Sequence, residues 1–551
     1  MKRLVLLGLA ALALQVLVIH VVRAAEVPTC DKAQLLGYAP AEDEVTVHRQ
    51  FAVPAVRYPF GAQRPIWGLV VTVRVDAAGH VACYVASSPW PGQGDGEALN
   101  DTQRAAIAEF ATWRYAPFVQ GGKPTAAILS ESIAEEEIPE RHLPLPDVPL
   151  DRVHITLSRS ACFGSCPSYK VDIHGNGRVV YRGEGFVDVM GEHHYTVPVG
   201  DVARLVESLR VKDLWSLRPA YRADITDNPT FELTMAIGDQ VHHIEDYMGQ
   251  KVGMPAAVSE FESEVDKIAK TGMWVNLTEE GVEHLQKEGF DFRSAPGADL
   301  LARAVANDRS RDDQAMLRLI EFGAPLDGDG NVDVGFRRKL GSVMEEALRR
   351  HRSILIAPLI ARGALSVDGK PDQYRIDAAF RAAIAGGRLA SLQTIWNIRG
   401  DRPHPSLTFE DVSEDGRHIK DGSPVTLLLS RQSYPPDAGW EGLAIAKWLA
   451  TKGCDLKATA ADGRTLLHIA AEANDADFVR YLLAQGFDPS APGEYGLPAL
   501  GSTTDEEVAM ILLQAGTDFS RMLDAGHQFR RYAESNHWQR VVAWLTAHHE
   551  S

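Results

Sequence analysis

Two cysteines four residues apart, Cys162 and Cys166, lie in the stretch SRSACFGSCPSYKV and are the first candidates for chemistry in this sequence. Such a pair can form a redox switch, half of a metal site or a structural disulfide. A redox pair of the Cys-x-x-Cys type has two intervening residues beside a helix N-terminus, whereas this pair has three and ends in Pro167. A structural zinc site needs further ligands at matching spacing, and none stands out. We therefore expect a Cys162–Cys166 disulfide, with redox and metal roles as alternatives.

Two histidine doublets, His193–His194 and His242–His243, lie on predicted strands. Neighbours on a strand point to opposite faces, so each doublet can offer one ring to any one site. One ring from each doublet with a cysteine thiolate could bind zinc if the strands pair suitably. Surface or packing roles are the simpler interpretation, and we predict neither a metal site nor a cofactor.

Carboxylates form the remaining candidate cluster, with Asp227 in TDNPT and Glu245 and Asp246 in EDYMG. Aspartates at turns most often hydrogen-bond their own backbone. The sequence has no Gly-rich phosphate loop, no HExxH and no GxSxG motif, which are the common signatures of catalysis. We predict that the protein is not an enzyme; the alternative is an unrecognised active site around Arg159, Asp227 and Asp246.

The N-terminal segment MKRLVLLGLAALALQVLVIHVVRAAEVPTC has the pattern of an export signal. Lys2 and Arg3 precede a mainly apolar run, and small residues follow, as a signal peptidase requires. We predict a signal peptide of residues 1–24 and a periplasmic or secreted protein. An uncleaved inner-membrane anchor is the alternative, because the run is long enough to span a bilayer.

The composition describes an ordinary globular protein of several domains, with 551 residues, 45% of them hydrophobic and 24% charged. A formal net charge of −18 argues against nucleic-acid binding, which depends on neutralising phosphates with Lys and Arg. Five cysteines in an exported chain permit two disulfides. Cys30 and Cys83 are the candidates for the second, and Cys454 remains a lone thiol.

The first block, residues 64–140, alternates as WGLVVTVRVDAAGHVACYVASS, which predicts a hairpin. An amphipathic helix in EALNDTQRAAIAEFATWRYAPF and a further strand after GGKPT follow. With VDAAGHV and TWRYAPF, this α+β block resembles the C-terminal domain of TonB-type energy transducers. That domain usually closes its chain behind a long spacer, whereas here more than 400 residues follow. The resemblance therefore implies docking to the cell envelope rather than energy transduction.

A Pro-rich linker, IPERHLPLPDVPLD, precedes the second block, residues 150–275. Two predicted hairpins alternate there with two predicted helices, one in PVGDVARLVESLRV and one in AVSEFESEVDKIAK. The motifs RSACFGSCPSY, YRGEG, TDNPT and EDYMG resemble a bacterial domain family of unknown function, which implies a small α+β fold and no activity.

The third block, residues 276–551, is helical and repetitive. DGRTLLHIAAEANDADFVRYLLAQGFDPSA resembles an ankyrin repeat, and weaker copies end at glycines in steps of 34, 40, 90, 33 and 30 residues. The resemblance implies that Thr465 and His468 fix a helix start and that Leu482 and Leu483 face inward. The segment IDAAFRAAIAGGRLASLQTIWNIRG is interpreted as a degenerate copy.

The sequence thus predicts two small α+β domains followed by an all-α ankyrin-repeat solenoid. Such repeats present a broad surface and no reactive group. We expect an exported scaffold or adaptor that binds another protein, with its oligomeric state and any envelope association open. Arg464, Glu472, Asn474 and Asp475 lie at the loop and first-helix edges of the best repeat and are the predicted partner-binding residues.

Overall fold

The computed structural model describes residues 27–51, 53, 55–62, 69–87, 113–328, 341–400, 423–429, 439–460, 462–518 and 527–549. These described residues fall into two compact units, the first within the range Met1–Pro54 and Val70–Ser132 and the second within the range Ala55–Leu69 and Ile133–Ser551. The predicted signal peptide lies outside the described residues. Within those residues, no helix combines the length and apolar character needed to cross a membrane.

The first unit contains a three-stranded sheet of order β3-β2-β6. Its strands are β2 (Leu69–Val75), β3 (Val81–Ser87) and β6 (Ala127–Ile133), and a small hairpin joins β4 (Phe118–Gln120) to β5 (Lys123–Thr125). The predicted hairpin is confirmed by the antiparallel pairing of β2 with β3. The predicted amphipathic helix lies largely outside the described residues.

Residues 27–51, which precede the first predicted block, also belong to this unit. Its helix α1 spans Glu42–His48, and Arg49 Nη2 lies 2.6 Å from the buried carboxylate of Glu131. Tyr115 donates to the same carboxylate at 2.9 Å, so the acid is satisfied inside the core. The sulfur atoms of Cys30 and Cys83 lie 2.09 Å apart, at disulfide distance. The unit therefore extends beyond the 64–140 range assigned from the sequence.

The second unit opens with a seven-stranded sheet of order β11-β10-β9-β8-β13-β14-β12. Its strands are β8 (Val153–Arg159), β9 (Ser168–His174), β10 (Arg178–Gly185), β11 (Gly191–Thr196), β12 (Ala220–Arg222), β13 (Phe231–Ile237) and β14 (Gln240–Tyr247). Both hairpins predicted here are confirmed, as β9–β10 and β13–β14.

Buried and partly exposed residues alternate along β8 from Val153 to Ser158, which shows that one face of this sheet is covered. Helices α2 (Val199–Val211) and α3 (Ala256–Ala269), both predicted, each bury an apolar stripe. A short parallel pair, β1 (Val56–Tyr58) with β7 (Glu135–Glu137), joins the same unit. Glu137 N donates to Gly253 O at 2.7 Å, so the chain already packs on the central domain before the Pro-rich segment.

The remainder of the second unit is a stack of helix pairs. A four-residue helix α4 (Gly272–Val275) leads into it, and its helices are α5 (Glu279–Lys287), α6 (Ala295–Ala306), α7 (Asp313–Glu321), α8 (Val343–Arg349), α9 (Ser353–Ala361), α10 (Gln373–Gly386), α11 (Leu389–Arg399), α12 (Pro424–Leu429), α13 (Gly442–Thr451), α14 (Leu466–Glu472), α15 (Ala476–Ala484), α16 (Glu506–Gln514), α17 (His527–Ser535) and α18 (Gln539–His549).

The helices form two rows. In the first row the helices pack in the order α6, α8, α10, α12 and α14, and a short 3-10 helix at Ala499–Ser502 continues this row. In the second row, α5, α7 and α9 pack in one group, and α13, α15, α16 and α18 pack in another. The segment interpreted as a degenerate copy forms the α10–α11 helix pair, followed by Gly400 at φ 75°. The region is not purely α-helical, because β15 (Ser366–Val367) and β16 (Lys370–Pro371) form a hairpin before α10.

Candidate protein-binding surface

The cysteine loop of the central domain is held closed at several points. The sulfur atoms of Cys162 and Cys166 lie 1.96 Å apart, at disulfide distance. Phe163 N donates to Asp227 O at 3.2 Å, although the Phe163 side chain is 70% exposed. The loop thus presents an aromatic side chain on a braced backbone.

The histidine doublets lie on strands β11 and β14, which four other strands separate. Five steps of strand spacing place them roughly 24 Å apart, so the two doublets cannot contribute to one zinc site. His193 is buried, stacks on Trp274 with ring centroids 4.6 Å apart, and lies 2.8 Å from Glu288. His243 pairs with Thr234 at 3.1 Å. His193 is therefore a packing residue, and His243 bonds to the neighbouring strand.

The Arg159 side chain closes a polar network beneath helix α3. Its guanidinium donates to Asp266 Oδ2 from Nε at 3.0 Å and Nη2 at 2.6 Å and lies 4.0 Å from the centroid of the Phe231 ring. Tyr169 and Thr271 donate to Asp266 Oδ1 at 2.7 and 2.8 Å. The network ties α3 to strands β8 and β9, which is a structural role.

Asp246 and Asp227 have different environments. Asp246 is buried and accepts from Gly249 N at 2.7 Å, and burial raises the pKa of its carboxyl group. Asp227 is exposed and accepts from the Thr226 hydroxyl at 2.9 Å. The backbone bonding expected of turn aspartates is thus present at Asp246, whereas the Asp227 carboxylate bonds to a neighbouring side chain.

Glu262, on helix α3, is a buried acid that the sequence analysis missed. It is 1% exposed, and among the described residues its Oε1 atom has no hydrogen-bond partner. Burial, together with the charge of nearby Asp246, raises the pKa of Glu262 to about 8. The burial of Glu262 could have been predicted from the sequence, because this residue falls four positions after Val258 on the apolar stripe of α3.

The best repeat begins as the resemblance implied. Thr465 and His468 form a reciprocal cap at the start of α14, and His468 Nε2 lies 3.2 Å from Leu497 O in the next repeat. Burial lowers the pKa of His468. Leu482 is fully buried, whereas Leu483 is only half-buried. Thr465 and His468 thus define the helix start and link two repeats.

Three of the four predicted partner-binding residues are used to hold this repeat together. Arg464 is 8% exposed and its Nε atom donates to Asp462 at 2.9 Å. Asn474 donates to Thr504 Oγ1 at 2.7 Å, and Asp475 accepts from Phe478 N at 2.9 Å as the N-cap of α15.

Glu472, the fourth, is half-buried, with a carboxylate oxygen 3.9 Å from Arg464 Nη1. Because these polar groups serve the repeat itself, changing the four residues together would lower its stability. Their role in partner binding stays a prediction.

Three large exposed side chains lie where one helix pair leads into the next. Tyr495, between α15 and the 3-10 helix at Ala499–Ser502, is 89% exposed and has φ 55°. Val367, in the β15–β16 hairpin, and Tyr374, in the first turn of α10, are 45% and 67% exposed. Each of the three lies between the end of a second-row helix and the first turn of the first-row element that follows it. They therefore belong to the same side of the stack.

Comparison with known families identifies two regions of the chain. Residues 153–269 match a domain of unknown function (DUF6438), and residues 438–522 match ankyrin repeats (3 copies). No curated protein matches the chain. No enzyme family is indicated by these matches, and ankyrin repeats point to protein–protein interaction without catalysis. The chain thus combines an ankyrin-repeat region with a domain whose role is unassigned.

Proposed function

We propose that this chain is an exported protein of the cell envelope that binds another protein through its ankyrin region. Two cysteine pairs at disulfide distance are consistent with an oxidising compartment. The apolar N-terminal run and the resemblance of the first block to an envelope docking domain support the same location. The ankyrin match supports a protein as the partner.

The side chain that carries the proposal is Tyr495. A non-glycine residue at φ 55° is uncommon, and the left-handed region costs an L-residue roughly 1–2 kcal/mol. Burial does not offset that cost, because Tyr495 is 89% exposed. Strained residues occur often at ligand-contacting positions, and tyrosine is enriched among the residues that dominate binding energy. We assign Tyr495 and Tyr374 to the partner-binding surface.

The alternative, an enzyme with its site around Arg159, Asp227 and Asp246, has less support. Arg159 is bound to Asp266, and Asp246 is bound to the Gly249 amide. Asp227 accepts from its neighbour Thr226. Each group therefore has a partner within the fold, and neither family match indicates a reaction.

Site-specific photo-cross-linking tests this proposal in cells of the native host. A photoreactive phenylalanine analogue placed at Tyr495 or Tyr374 should give one adduct of defined mass. The matched control is Val211 on α2, which is 76% exposed but lies outside the ankyrin region. Adducts of equal yield at all three positions, or none at the two tyrosines, would refute the assigned surface.

A substitution separates binding from folding at the same site. Asparagine tolerates the left-handed region better than tyrosine, so Tyr495→Asn should leave the melting temperature unchanged or slightly raised while it weakens partner capture. Full capture by the folded variant would remove Tyr495 from the surface.

A further inference from the structure

We propose that the central domain, the domain of unknown function at residues 153–269, is the N-terminal cap of the ankyrin stack and completes its first repeat. Helical repeats bury their apolar faces against neighbours, and the end of a stack needs a cap that differs from an ordinary repeat. The inference extends beyond partner binding, because it assigns a structural role to a domain whose family has no known function.

The first repeat of the stack has only its second helix. Helix α5 packs in the second row against α7, but the helix before it, α4, has four residues. The loop between β10 and β11 runs alongside α4. Asp188 N donates to Val275 O at 3.1 Å, and Val189 N donates to Trp274 O at 3.0 Å. Backbone from the central domain thus pairs with the segment where a first helix would otherwise stand.

The Asp188 side chain reaches from this loop into the α6–α7 turn. It is 1% exposed and accepts from Leu277 N at 2.7 Å, from Asn307 Nδ2 at 2.9 Å and from the Ser310 hydroxyl. A buried carboxylate is stable only when donors surround it, and burial raises the pKa of Asp188. All three of these donors follow the central domain in the chain. The Asp188 carboxylate therefore has its hydrogen bonds only when the helices after the central domain are in place.

The same turn is bound on its other side by the following repeat. Arg352 precedes α9 and donates to Ser310 O from Nη1 at 2.6 Å and to Asn307 O from Nη2 at 2.7 Å. Residues 307–310 therefore lie between Arg352 on one side and Asp188 on the other. Asp188 occupies the place that a polar group of a preceding repeat would take.

The disulfide loop belongs to the same junction. Arg309 donates to Ser165 O at 2.7 Å and to Phe186 O at 2.9 Å. The Cys162–Cys166 loop and the β10–β11 loop are thus both held by one side chain from the α6–α7 turn. A structural disulfide at this point would keep the Ser165 carbonyl in position for Arg309.

Hydrogen exchange measured by mass spectrometry on the full chain tests the cap. In Asp188→Ala, amides of α5, α6 and α7 should exchange at least roughly tenfold faster, because local opening sets the exchange rate. Amides of α14 and α15 should be unchanged. Asp239→Ala is the matched control, since Asp239 lies on a turn of the same domain with a side chain that is 93% exposed.

A milder variant keeps the test decisive if Asp188→Ala does not fold. Ser310→Ala removes one of the donors and should accelerate exchange in α5 to α7 in the same pattern. Native protection of these helices in a folded Asp188→Ala or Ser310→Ala protein would overturn the proposal. Equal acceleration throughout the repeats would also overturn it, because a cap acts on the end that it covers.

Discussion

Glu262 makes the stability of the central domain sensitive to pH. Its carboxyl group is buried on α3 near Asp246 on β14, Arg159 on β8 and Asp266 on its own helix. Burial is the main reason that the pKa rises from 4.5 to about 8, and the negative charge of Asp246 adds to it. Glu262→Gln removes the ionisation while it keeps the shape of the side chain, so it isolates this effect.

The sign follows from proton linkage. The pKa of Glu262 is higher in the folded state than in the unfolded state, so the folded protein binds this proton more tightly. The contribution of Glu262 to the free energy of unfolding is therefore fully present below about pH 4.5 and is lost as pH rises towards 8. With 1.36 kcal/mol per pKa unit, the free energy of unfolding should fall by about 3 kcal/mol between pH 5.5 and pH 8 through this residue alone. In Glu262→Gln that part of the decrease should vanish.

The assay must report on the central domain separately from the repeats. Pulse-labelling hydrogen exchange on central-domain peptides across a urea series, at pH 5.5, 7 and 8, gives that resolution. Glu260→Gln is the control, because Glu260 lies on the same helix with a side chain that is 61% exposed. A pH dependence in Glu262→Gln equal to that of the unaltered protein would show that Glu262 is ionised in the folded state.

Three further results are expected. Cys162 and Cys166 should resist alkylation in denatured, unreduced protein and react after reduction, and labelling before reduction would rule out the pairing. Leu482→Ala should cost about 2–5 kcal/mol in urea denaturation, and Leu483→Ala clearly less because Leu483 is half-buried; equal costs would contradict the assigned burial. Asp475→Ala should cost about 1 kcal/mol by loss of the α15 N-cap, and unchanged unfolding would show that the cap contributes nothing.

Periodic and local signals were readable from the sequence. The alternation of β13 and β14, the apolar stripe of α3 and the glycine that ends each helix pair depend on neighbours in the chain, so residue patterns specify them directly. The α10–α11 pair was found in this way despite its degenerate sequence. Thr465 and His468 were correctly placed because a cap involves residues only three positions apart.

Contacts between distant segments were not readable. Asp188 lies in a loop of ordinary appearance, and its donors lie 89 to 122 residues further along the chain. Asn474 looks like a surface residue, yet its partners belong to the next repeat. Polar residues at repeat edges serve either a partner or the neighbouring repeat, and composition does not distinguish the two roles. The exposed Tyr495 was missed because no periodic pattern marks it.

The order of segments along the chain has a consequence for synthesis. Strands β8 to β14 lie within residues 153–247, so the central sheet can form on the ribosome before any repeat has emerged, in line with N-terminal domains folding first. Asp188 then remains without Asn307 and Ser310 until these residues are translated, and we expect the sheet to act as a template on which the first helices dock. Ribosome-bound chains whose residues up to Val275 have left the exit tunnel should therefore be more protease-sensitive at the β10–β11 loop than chains whose residues up to Ala361 have left it. Equal sensitivity would show that docking does not protect the loop.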